Sequence, residues 1–337
     1  MMPTMTFIMS GVGLLIIWVG AHLIEADKLM IGDMLAYLQY AMHVIMSFMF
    51  VTMIFVMLPR AAVSMKRIGQ VLDTKISIVD PEDAKASTCG PEFPVEFRNV
   101  SFTYPDSEEK VLEDITFTAR PGQTTAIIGG TGSGKSTVIN LITRFYDATE
   151  GQVLVGGADV KDLMQKELRS HIGLVPQKGI LFSGTIESNL RYGNEDATEE
   201  DLVQAAEIAQ AMEFISEKPK GLKEEIAQGG TNVSGGQMQR LCIARALVKK
   251  PEILVFDDSF SALDFSTDKA LRKALKETIG GCTFIIVAQR INTILDADQI
   301  IVMNEGKITG MGTHDELLAS NTEYREIAES QLGKKGA

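Results

Sequence analysis

The sequence predicts an α/β domain that follows two membrane-spanning helices. Two long apolar runs lie near the N-terminus, at about residues 5–24 and 33–58. After residue 94, short apolar runs alternate with amphipathic stretches, which is typical of a largely parallel sheet covered by helices. A glycine-rich loop over residues 129–137 separates one such strand from one such helix. Together, these observations predict the fold class.

Size and charge narrow the possible functions. The 337 residues are enough for about two domains. The sequence holds 32 Lys and Arg against 44 Asp and Glu, a net charge of −12, which argues against a nucleic-acid partner. Cys89, Cys242 and Cys282 lie far apart and have neither disulfide nor zinc-site spacing. We therefore expect a reducing, cytoplasmic environment for the part of the chain after the apolar runs.

The first apolar run has the length and composition of a membrane span. His22 is its only ionisable side chain, and its length is close to the roughly 20 residues that a helix needs to cross a bilayer. The run is too long for an ordinary signal peptide and lacks its basic start. The alternative is a buried helical hairpin of a soluble protein, which we consider the weaker interpretation.

The flanking charges predict an orientation in the membrane. The turn between the two runs is acidic overall, whereas Arg60, Lys66 and Arg67 follow the second run. By the positive-inside rule, the chain after the second run is expected in the cytoplasm. We therefore predict a partial transmembrane domain over residues 1–80, in contact with membrane lipid and continuing as a helix to Leu72.

One side of the second predicted helix is rich in methionine. Gln39 and His43 lie beside this stripe, and an ionisable residue within a membrane is a candidate for a functional site. Flexible methionines suit a surface that accepts varied ligands, but we favour the simpler interpretation that the stripe packs on another helix or on lipid. The stripe consists of Met42, Met46, Met49, Met53 and Met57.

A segment rich in proline and small polar residues, 81–93, is predicted to be a linker to a domain over residues 94–337. Apolar periodicity within that domain predicts both strands and helices. The predicted strands are 95–102, 111–118, 123–128, 151–155, 172–175, 253–256 and 283–287, and the predicted helices are 138–145, 161–170, 199–211 and 238–248.

The glycine-rich loop matches the pattern G-x-x-x-x-G-K-[ST] in the order strand, loop, helix. Its glycines allow successive backbone N–H groups to point at a phosphate, and the helix N-terminus adds positive potential. Lys135 would reach the β- and γ-phosphates, and the Ser136 hydroxyl would hold Mg²⁺. The loop consists of Gly129, Gly130, Thr131, Gly132, Ser133, Gly134, Lys135, Ser136 and Thr137.

Two later stretches carry further chemistry. Small residues at 234–237 open a predicted helix, which makes a second candidate site for an anion. The apolar strand 253–256 ends in Asp257 and Asp258. A carboxylate at the end of a strand beside a phosphate-binding loop can hold Mg²⁺, directly or through water.

These residues resemble the motifs of the ATP-binding cassette (ABC) family, specifically its exporter type, over essentially all of residues 94–330. The glycine-rich loop resembles Walker A, Ile253–Asp257 resembles Walker B, and Gln177 the Q-loop glutamine. The signature motif corresponds to Ser234, Gly235, Gly236 and Gln237, the D-loop to Ser261–Asp264, and the adenine-stacking aromatic to Tyr104.

The resemblance implies an ABC ATPase fold, a P-loop NTPase with a RecA-like core, an antiparallel β subdomain and a helical subdomain. It also implies ATP and Mg²⁺ as ligands, with Ser136, Gln177 and Asp257 around the metal. In that family two nucleotide-binding domains pair head to tail, and each ATP lies between the Walker motifs of one chain and the signature of the other. Two simpler interpretations remain: Tyr104 as a strand end and Gln177 as an ordinary loop residue.

Two positions depart from the family, and both concern hydrolysis. Asp258 stands where the family usually has the Glu that orients the attacking water, and its side chain is shorter by roughly 1.5 Å. Gln289 stands where the family usually has a His at the γ-phosphate, and an amide carries no charge. Because a misplacement of about 1 Å can cost about 10²-fold in rate, we expect ATP binding with slow hydrolysis.

The intact signature motif leads to the hypothesis of a heterodimer. This chain would resemble the degenerate-site subunit of heterodimeric bacterial multidrug exporters, completed by a second ABC half-transporter. A homodimeric exporter and a membrane-anchored ATP-binding regulator remain alternatives. Exporter half-subunits carry more membrane helices than the two predicted here, so the chain resembles their C-terminal piece. We expect a multi-pass location in a plasma or bacterial inner membrane, with the exported substrate unknown.

Overall fold

The computed structural model describes residues 2–84, 93–105, 107–278 and 280–332. The chain divides into two compact units, Met1–Ser77 and Ile78–Ala337. Cys89 and most of the predicted linker lie outside the described residues.

The first unit consists of two helices, α1 (Met2–Glu25) and α2 (Ile31–Leu72). Each is long and apolar enough, by length and composition, to cross a membrane. At about 1.5 Å per residue, the 42 residues of α2 span roughly twice a bilayer core of about 30 Å. The helix therefore continues through Pro59 to Leu72, as the sequence predicts.

The two apolar helices pack through glycines of α1 and methionines of α2. A Cβ atom at Gly13 would lie 3.5 Å from the Cε atom of Met42, and one at Gly20 would lie 2.7 Å from the Cγ atom of Met34. Met53 and Met57 are exposed. One member of the predicted methionine stripe therefore packs on the other helix, whereas these two side chains are uncovered.

Unit two is an α/β domain built on strands that are mostly apolar and buried. In chain order, its strands are β1 (Val95–Phe102), β2 (Leu112–Ala119), β3 (Thr124–Gly129), β4 (Glu150–Val155), β5 (Ala158–Asp159), β6 (Ile172–Val175), β7 (Gly184–Thr185), β8 (Glu225–Ile226), β9 (Ile253–Asp257), β10 (Thr283–Val287), β11 (Gln299–Asn304) and β12 (Lys307–Gly312).

The helices of the second unit cover its sheets and form a separate helical layer. They are α3 (Lys135–Ile142), α4 (Gln165–Ser170), α5 (Ile186–Arg191), α6 (Glu199–Ile208), α7 (Met212–Ser216), α8 (Gly235–Val248), α9 (Phe265–Thr278), α10 (His314–Ser320) and α11 (Thr322–Leu332). Within the helical layer, α5 and α6 both pack on α8.

A six-stranded sheet in the order β12-β11-β3-β10-β9-β6 forms the centre of the domain. All of its neighbours pair in parallel except β12, which is antiparallel to β11. Ala126 and Ile128 of β3 face one hydrophobic core, and Ile127 faces another. Burial on both faces explains why the central strands are continuous apolar runs rather than alternating ones.

A second, antiparallel sheet has the order β2-β1-β4-β5. Phe97 of β1 and Phe117 of β2 stack across it, with their ring centroids 4.7 Å apart. The central sheet, the antiparallel sheet and the helical layer are the three parts expected of an ABC ATPase fold.

The predicted helices differ in extent from those of the structure. The helix predicted over 138–145 is α3, which ends at Ile142 because Arg144 has a positive φ of 51°, and the helix predicted over 238–248 is α8, which begins at Gly235. Residues 161–170 contain a short 3₁₀ turn followed by α4, because the Asp159 side chain accepts from the Lys161 N–H and caps that turn separately. The helix predicted over 199–211 ends at Ile208, since Gln210 has a positive φ of 56°. The strands β5, β7, β8, β11 and β12 and the helices α5, α7, α9, α10 and α11 were not predicted.

We predict that Gly151→Ala lowers the free energy of unfolding much more than Gly157→Ala. Both glycines have φ of +78°, so both substitutions carry a left-handed cost of about 1–2 kcal/mol. A Cβ atom at Gly151 would also lie 2.2 Å from the Asn99 carbonyl oxygen, whereas nothing lies within 4 Å at Gly157. Denaturant unfolding of the purified chain measures the difference, and equal losses would contradict this account of the β1–β4 contact.

Candidate functional site

Four parallel strands bring their carboxyl ends to one edge of the central sheet. Ile127 of β3 pairs with Val287 of β10, which pairs with Asp257 of β9. On the far side of β9, Phe256 pairs with Val175 of β6. The loops that follow these strands therefore leave the sheet at the same level, which is where open α/β sheets bind ligands.

The glycine-rich loop joins β3 to α3 at this edge. Gly132 and Gly134 have φ of +83° and +96°, which disfavours other residues there. A Cβ atom at Gly134 would lie 2.6 Å from a Cδ atom of Leu112 and 3.1 Å from the Val111 carbonyl oxygen. No side chain of the described residues caps α3 at Gly134. The first N–H groups of α3 are therefore available to an anion.

Lys135 folds back over the loop that precedes it. Its Nζ atom donates to the carbonyl oxygens of Gly129 and Gly130, at 2.9 and 2.6 Å, and to the Ser133 hydroxyl at 3.1 Å. Burial lowers the pKa of Lys135, and the nearby carboxylates of Asp257 and Asp258 partly offset this shift. The ammonium group thus lies between the phosphate-binding loop and the two acids.

Asp257, at the end of β9, forms the other side of the cradle. The pKa of Asp257 is raised, mainly because the carboxyl is buried. The hydrogen bond from Ser136 opposes this shift, the nearby carboxylate of Asp258 adds to it, and the charge of Lys135 opposes it. The hydroxyl of Ser136 and a carboxylate oxygen of Asp257 are therefore adjacent. Hydroxyl and carboxylate oxygens are ligands that Mg²⁺ accepts.

Asp258 follows directly and is buried, with 8% of its surface exposed. Its φ is +46°, a left-handed conformation that Asp tolerates better than most residues. Its N–H donates to the Val287 carbonyl at 2.9 Å, which ties the end of β9 to β10. The side-chain amide of Gln177 donates to its Oδ2 atom at 3.1 Å. Two predicted site residues, 81 positions apart, thus touch directly.

Tyr104 lies against the first turn of α3. Its hydroxyl is 3.1 Å from the Thr137 hydroxyl. Phe102 and Tyr146 pack edge-on against its ring, with centroids 4.8 and 5.0 Å away. A partly exposed aromatic ring therefore stands beside the end of the glycine-rich loop.

The remaining predicted residues make their contacts elsewhere. Gln289 is exposed in the loop after β10. The Ser234 side chain accepts from the Gln237 N–H at 3.2 Å, and Gln237 accepts in return from the Ser234 N–H at 3.1 Å, which caps α8. Asp264 accepts from the Ser266 hydroxyl and from the N–H groups of Ser266 and Thr267 at the start of α9, and these hydrogen bonds, that of the Ser266 hydroxyl foremost, lower its pKa. The signature residues and Asp264 therefore stand at helix starts and bond locally.

The sequence analysis missed the side chains of α8 that hold the Gln177 loop. Gln239 is buried and donates to the Pro176 carbonyl at 3.3 Å, and Arg245 donates to the Ile180 carbonyl at 2.8 Å. A Cβ atom at Gly179 would lie 3.0 Å from the Sγ atom of Cys242. The helix that begins at the signature motif is thus fastened to the loop that carries Gln177. No local pattern predicts bonds over such separations.

The arrangement fits a magnesium–nucleotide substrate. Uncapped N–H groups at the start of α3 suit phosphate oxygens, and the Lys135 ammonium adds positive charge. Ser136, Asp257 and Gln177 offer oxygen ligands for Mg²⁺, which would neutralise charge on the phosphates. The buried carboxylate of Asp258 lies at the same edge and accepts a hydrogen bond from Gln177.

Comparison with known proteins agrees with this site. The family described as "ABC transporter" matches residues 112–261. The uncharacterized ABC transporter ATP-binding protein Rv1273c of Mycobacterium tuberculosis is 45% identical over 334 residues, which are 98% of this chain and 57% of that protein. The uncharacterized ABC transporter ATP-binding protein YfiB of Bacillus subtilis is 40% identical over 100% of this chain and 58% of its own length.

A solved structure is also similar. The bacterial Atm1-family ABC exporter with ATP bound superposes with a TM-score of 0.76 at 34% identity, over 90% of this chain and 53% of that one. The chain thus spans little more than half the length of the proteins that it matches. The α/β unit of this chain is therefore an ABC transporter ATP-binding domain, and its homologues include ABC exporters.

Proposed function

We propose that the chain is an ATP-binding subunit of an ABC-type exporter, with MgATP as the substrate of its glycine-rich loop. The observation that carries the proposal is the cluster of Lys135, Ser136, Asp257, Gln177 and Asp258 at one edge of the sheet. The similarity to an exporter with ATP bound, over 90% of this chain, supports the same conclusion.

Each member of the cluster has a role in the proposed site. Backbone N–H groups of residues 130–136 bind the phosphates, and Lys135 leaves its loop carbonyls to reach the terminal ones. Ser136 and Asp257 hold Mg²⁺, with Gln177 as a third candidate ligand. Tyr104 stacks on the adenine ring. Thr131, Ser133 and Thr137 shape the loop and the first turn of α3.

Hydrolysis at this site is proposed to be slow. Asp258 reaches roughly 1.5 Å less far than the glutamate common in the family, so water would be held poorly. Gln289 offers the γ-phosphate a neutral hydrogen bond without charge. Loss of one transition-state donor costs on the order of 10²–10³-fold, although two such losses need not multiply.

We further propose a partner of the same class. The exposed start of α8, with Ser234, Gly235, Gly236 and Gln237, would complete an ATP site on a second ABC half-transporter, and Asp264 would lie near that junction. An intact signature beside a weak hydrolytic site favours a heterodimer over a homodimer. No nucleic acid is expected as a partner.

The two apolar helices are proposed to lie in a plasma or bacterial inner membrane, with the ATP-binding domain in the cytoplasm. The basic residues after the second span support this orientation.

Steady-state ATP hydrolysis tests the proposal. We predict that the purified wild-type chain binds MgATP but hydrolyses it well below about 1 s⁻¹, the lower end of ordinary turnover. The double variant Asp258→Glu, Gln289→His should hydrolyse ATP about tenfold faster than the wild type or more. This holds even though Glu adopts the positive φ of residue 258 less readily than Asp does. Lys135→Ala is the inactive control. Rapid turnover by the wild type would favour a homodimeric exporter, and no turnover by either would favour a regulator.

The affinity for MgATP should depend on pH through Asp257. Burial raises the pKa of this carboxyl, so it protonates at a higher pH than an exposed aspartate and then loses its Mg²⁺. We predict that the Mg²⁺-dependent part of ATP affinity is constant near neutral pH and falls as the pH drops through that raised pKa. ATP itself also titrates, and this affects the wild type and Asp257→Asn alike. Asp257→Asn should lack only the fall in affinity that comes from protonation of the Asp257 carboxyl. The same pH profile in both proteins would contradict the assignment.

Stacking by Tyr104 predicts a difference between two variants. Tyr104→Phe keeps the ring and removes only the hydroxyl beside Thr137, so its ATP affinity should stay within about threefold of wild type. Tyr104→Ala removes the ring, and stacking of a base on an aromatic side chain is worth about 1–3 kcal/mol. Its affinity should therefore fall about tenfold, measured by titration with a fluorescent ATP analogue. Equal losses in both variants would assign the contribution to the hydroxyl.

A further inference from the structure

The loop that carries Gln289 is held by a side chain from the far end of the chain. Gln331 of α11 donates through Nε2 to the Gln289 carbonyl at 2.8 Å. Its Oε1 atom accepts from the Ile291 N–H, also at 2.8 Å. One amide thus engages both backbone groups that flank Arg290.

The directions of the two hydrogen bonds require a side chain with a primary amide, because Gln331 donates in one bond and accepts in the other. The loop offers one acceptor, at residue 289, and one donor, at residue 291, so the bridging side chain needs a donor and an acceptor a short distance apart. A carboxylate could serve only the N–H, and an apolar side chain of the same length could serve neither.

The helix that carries Gln331 is anchored independently of this loop. Tyr324 is fully buried, and its hydroxyl lies 2.8 Å from the Nδ1 atom of His314. Glu323 accepts from the Asn304 amide at 2.8 Å and from the Thr309 hydroxyl at 2.6 Å. Because α11 is fixed to α10, β11 and β12, Gln331 can impose a position on the loop.

The loop itself has few other bonds at this point. The Ala288 N–H donates to the Ile127 carbonyl at 3.1 Å, where β10 ends, and the Thr293 N–H donates to the Arg290 carbonyl at 3.2 Å within the next turn. Between these two points, the Ile291 side chain is buried and its carbonyl accepts from the Ile294 N–H at 2.9 Å, while Gln331 bonds the backbone of residues 289 and 291. Fixing the Gln289 carbonyl also fixes the backbone on which the Gln289 side chain stands.

We propose that Gln331 is a positioning residue that sets the Gln289 loop for contact with the terminal phosphate of ATP. This inference rests on the proposed function, since it requires a nucleotide in the glycine-rich loop. It gives α11 a role in the preference of the site for ATP over ADP. Gln331 itself touches no phosphate and acts through the backbone of residue 289.

The test is a double-substitution cycle on the whole 337-residue chain, read as the ratio of the dissociation constants for ADP and ATP in the presence of Mg²⁺. Gln331→Met keeps the length and removes both bonds, and Gln331→Glu keeps only the bond to the Ile291 N–H. Gln289→Ala removes the phosphate contact. Glu329→Gln, an exposed change on the same helix, is the matched control.

We expect Gln331→Met to lower this preference for ATP by about two- to tenfold, the range of one neutral hydrogen bond, with ADP affinity unchanged. Gln331→Glu should lose nearly as much, and the control nothing. In the Gln289→Ala background, Gln331→Met should have no further effect, because coupled residues are not additive.

Three results would overturn the inference while leaving the proposed function intact. They are an unchanged ATP preference in Gln331→Met, equal losses for ATP and ADP, or a full additional loss in the Gln289→Ala background. The second of these would indicate a merely structural role. If the wild type binds neither nucleotide, the proposed function fails and the inference fails with it.

Discussion

Hydrogen bonds between the parallel strands β3, β10, β9 and β6 hold their carboxyl ends at one level, and the candidate site depends on that register. A shift of β9 by one residue would carry Asp257 away from the Ser136 hydroxyl and turn its side chain to the other face of the sheet. The same register sets the Asp258 N–H against the Val287 carbonyl, so the acid after the strand is fixed by the neighbouring strand. Continuous burial of β9 and β10 on both faces makes such a shift costly.

In the proposed account, the site built on this edge has strong means of binding and weaker means of hydrolysis. The glycine-rich loop would supply backbone donors, Lys135 positive charge and Asp257 a metal ligand. Asp258 is buried, has a left-handed backbone conformation and accepts a hydrogen bond from Gln177. Its side chain is shorter than that of the glutamate common in the family. In the proposed account, the chain therefore binds ATP more readily than it hydrolyses it. The residues for binding are intact at this site, whereas those for hydrolysis are altered.

Much of this could be predicted from the sequence, because the deciding patterns are local. Apolar runs predicted the membrane-length helices and the buried strands, and the pattern of the glycine-rich loop predicted a candidate phosphate site between β3 and α3. The limits were also physical. Helix ends at Asp159 and Gln210 depend on one capping bond and one positive φ, which periodicity does not reveal. The contacts of Gln177 with Asp258, of Gln239 with Pro176 and of Gln331 with residues 289 and 291 join positions far apart, so only the folded chain brings them together.

MgATP is proposed to be held at this site for a long time without being cleaved. The most direct measurement is to load the purified 337-residue chain with ATP labelled on the adenine ring, remove free nucleotide, and identify what stays bound over many minutes. The account predicts that the retained nucleotide is mainly ATP and that Lys135→Ala retains none. Retention of ADP alone, or a rapid loss of label from the wild type, would contradict it.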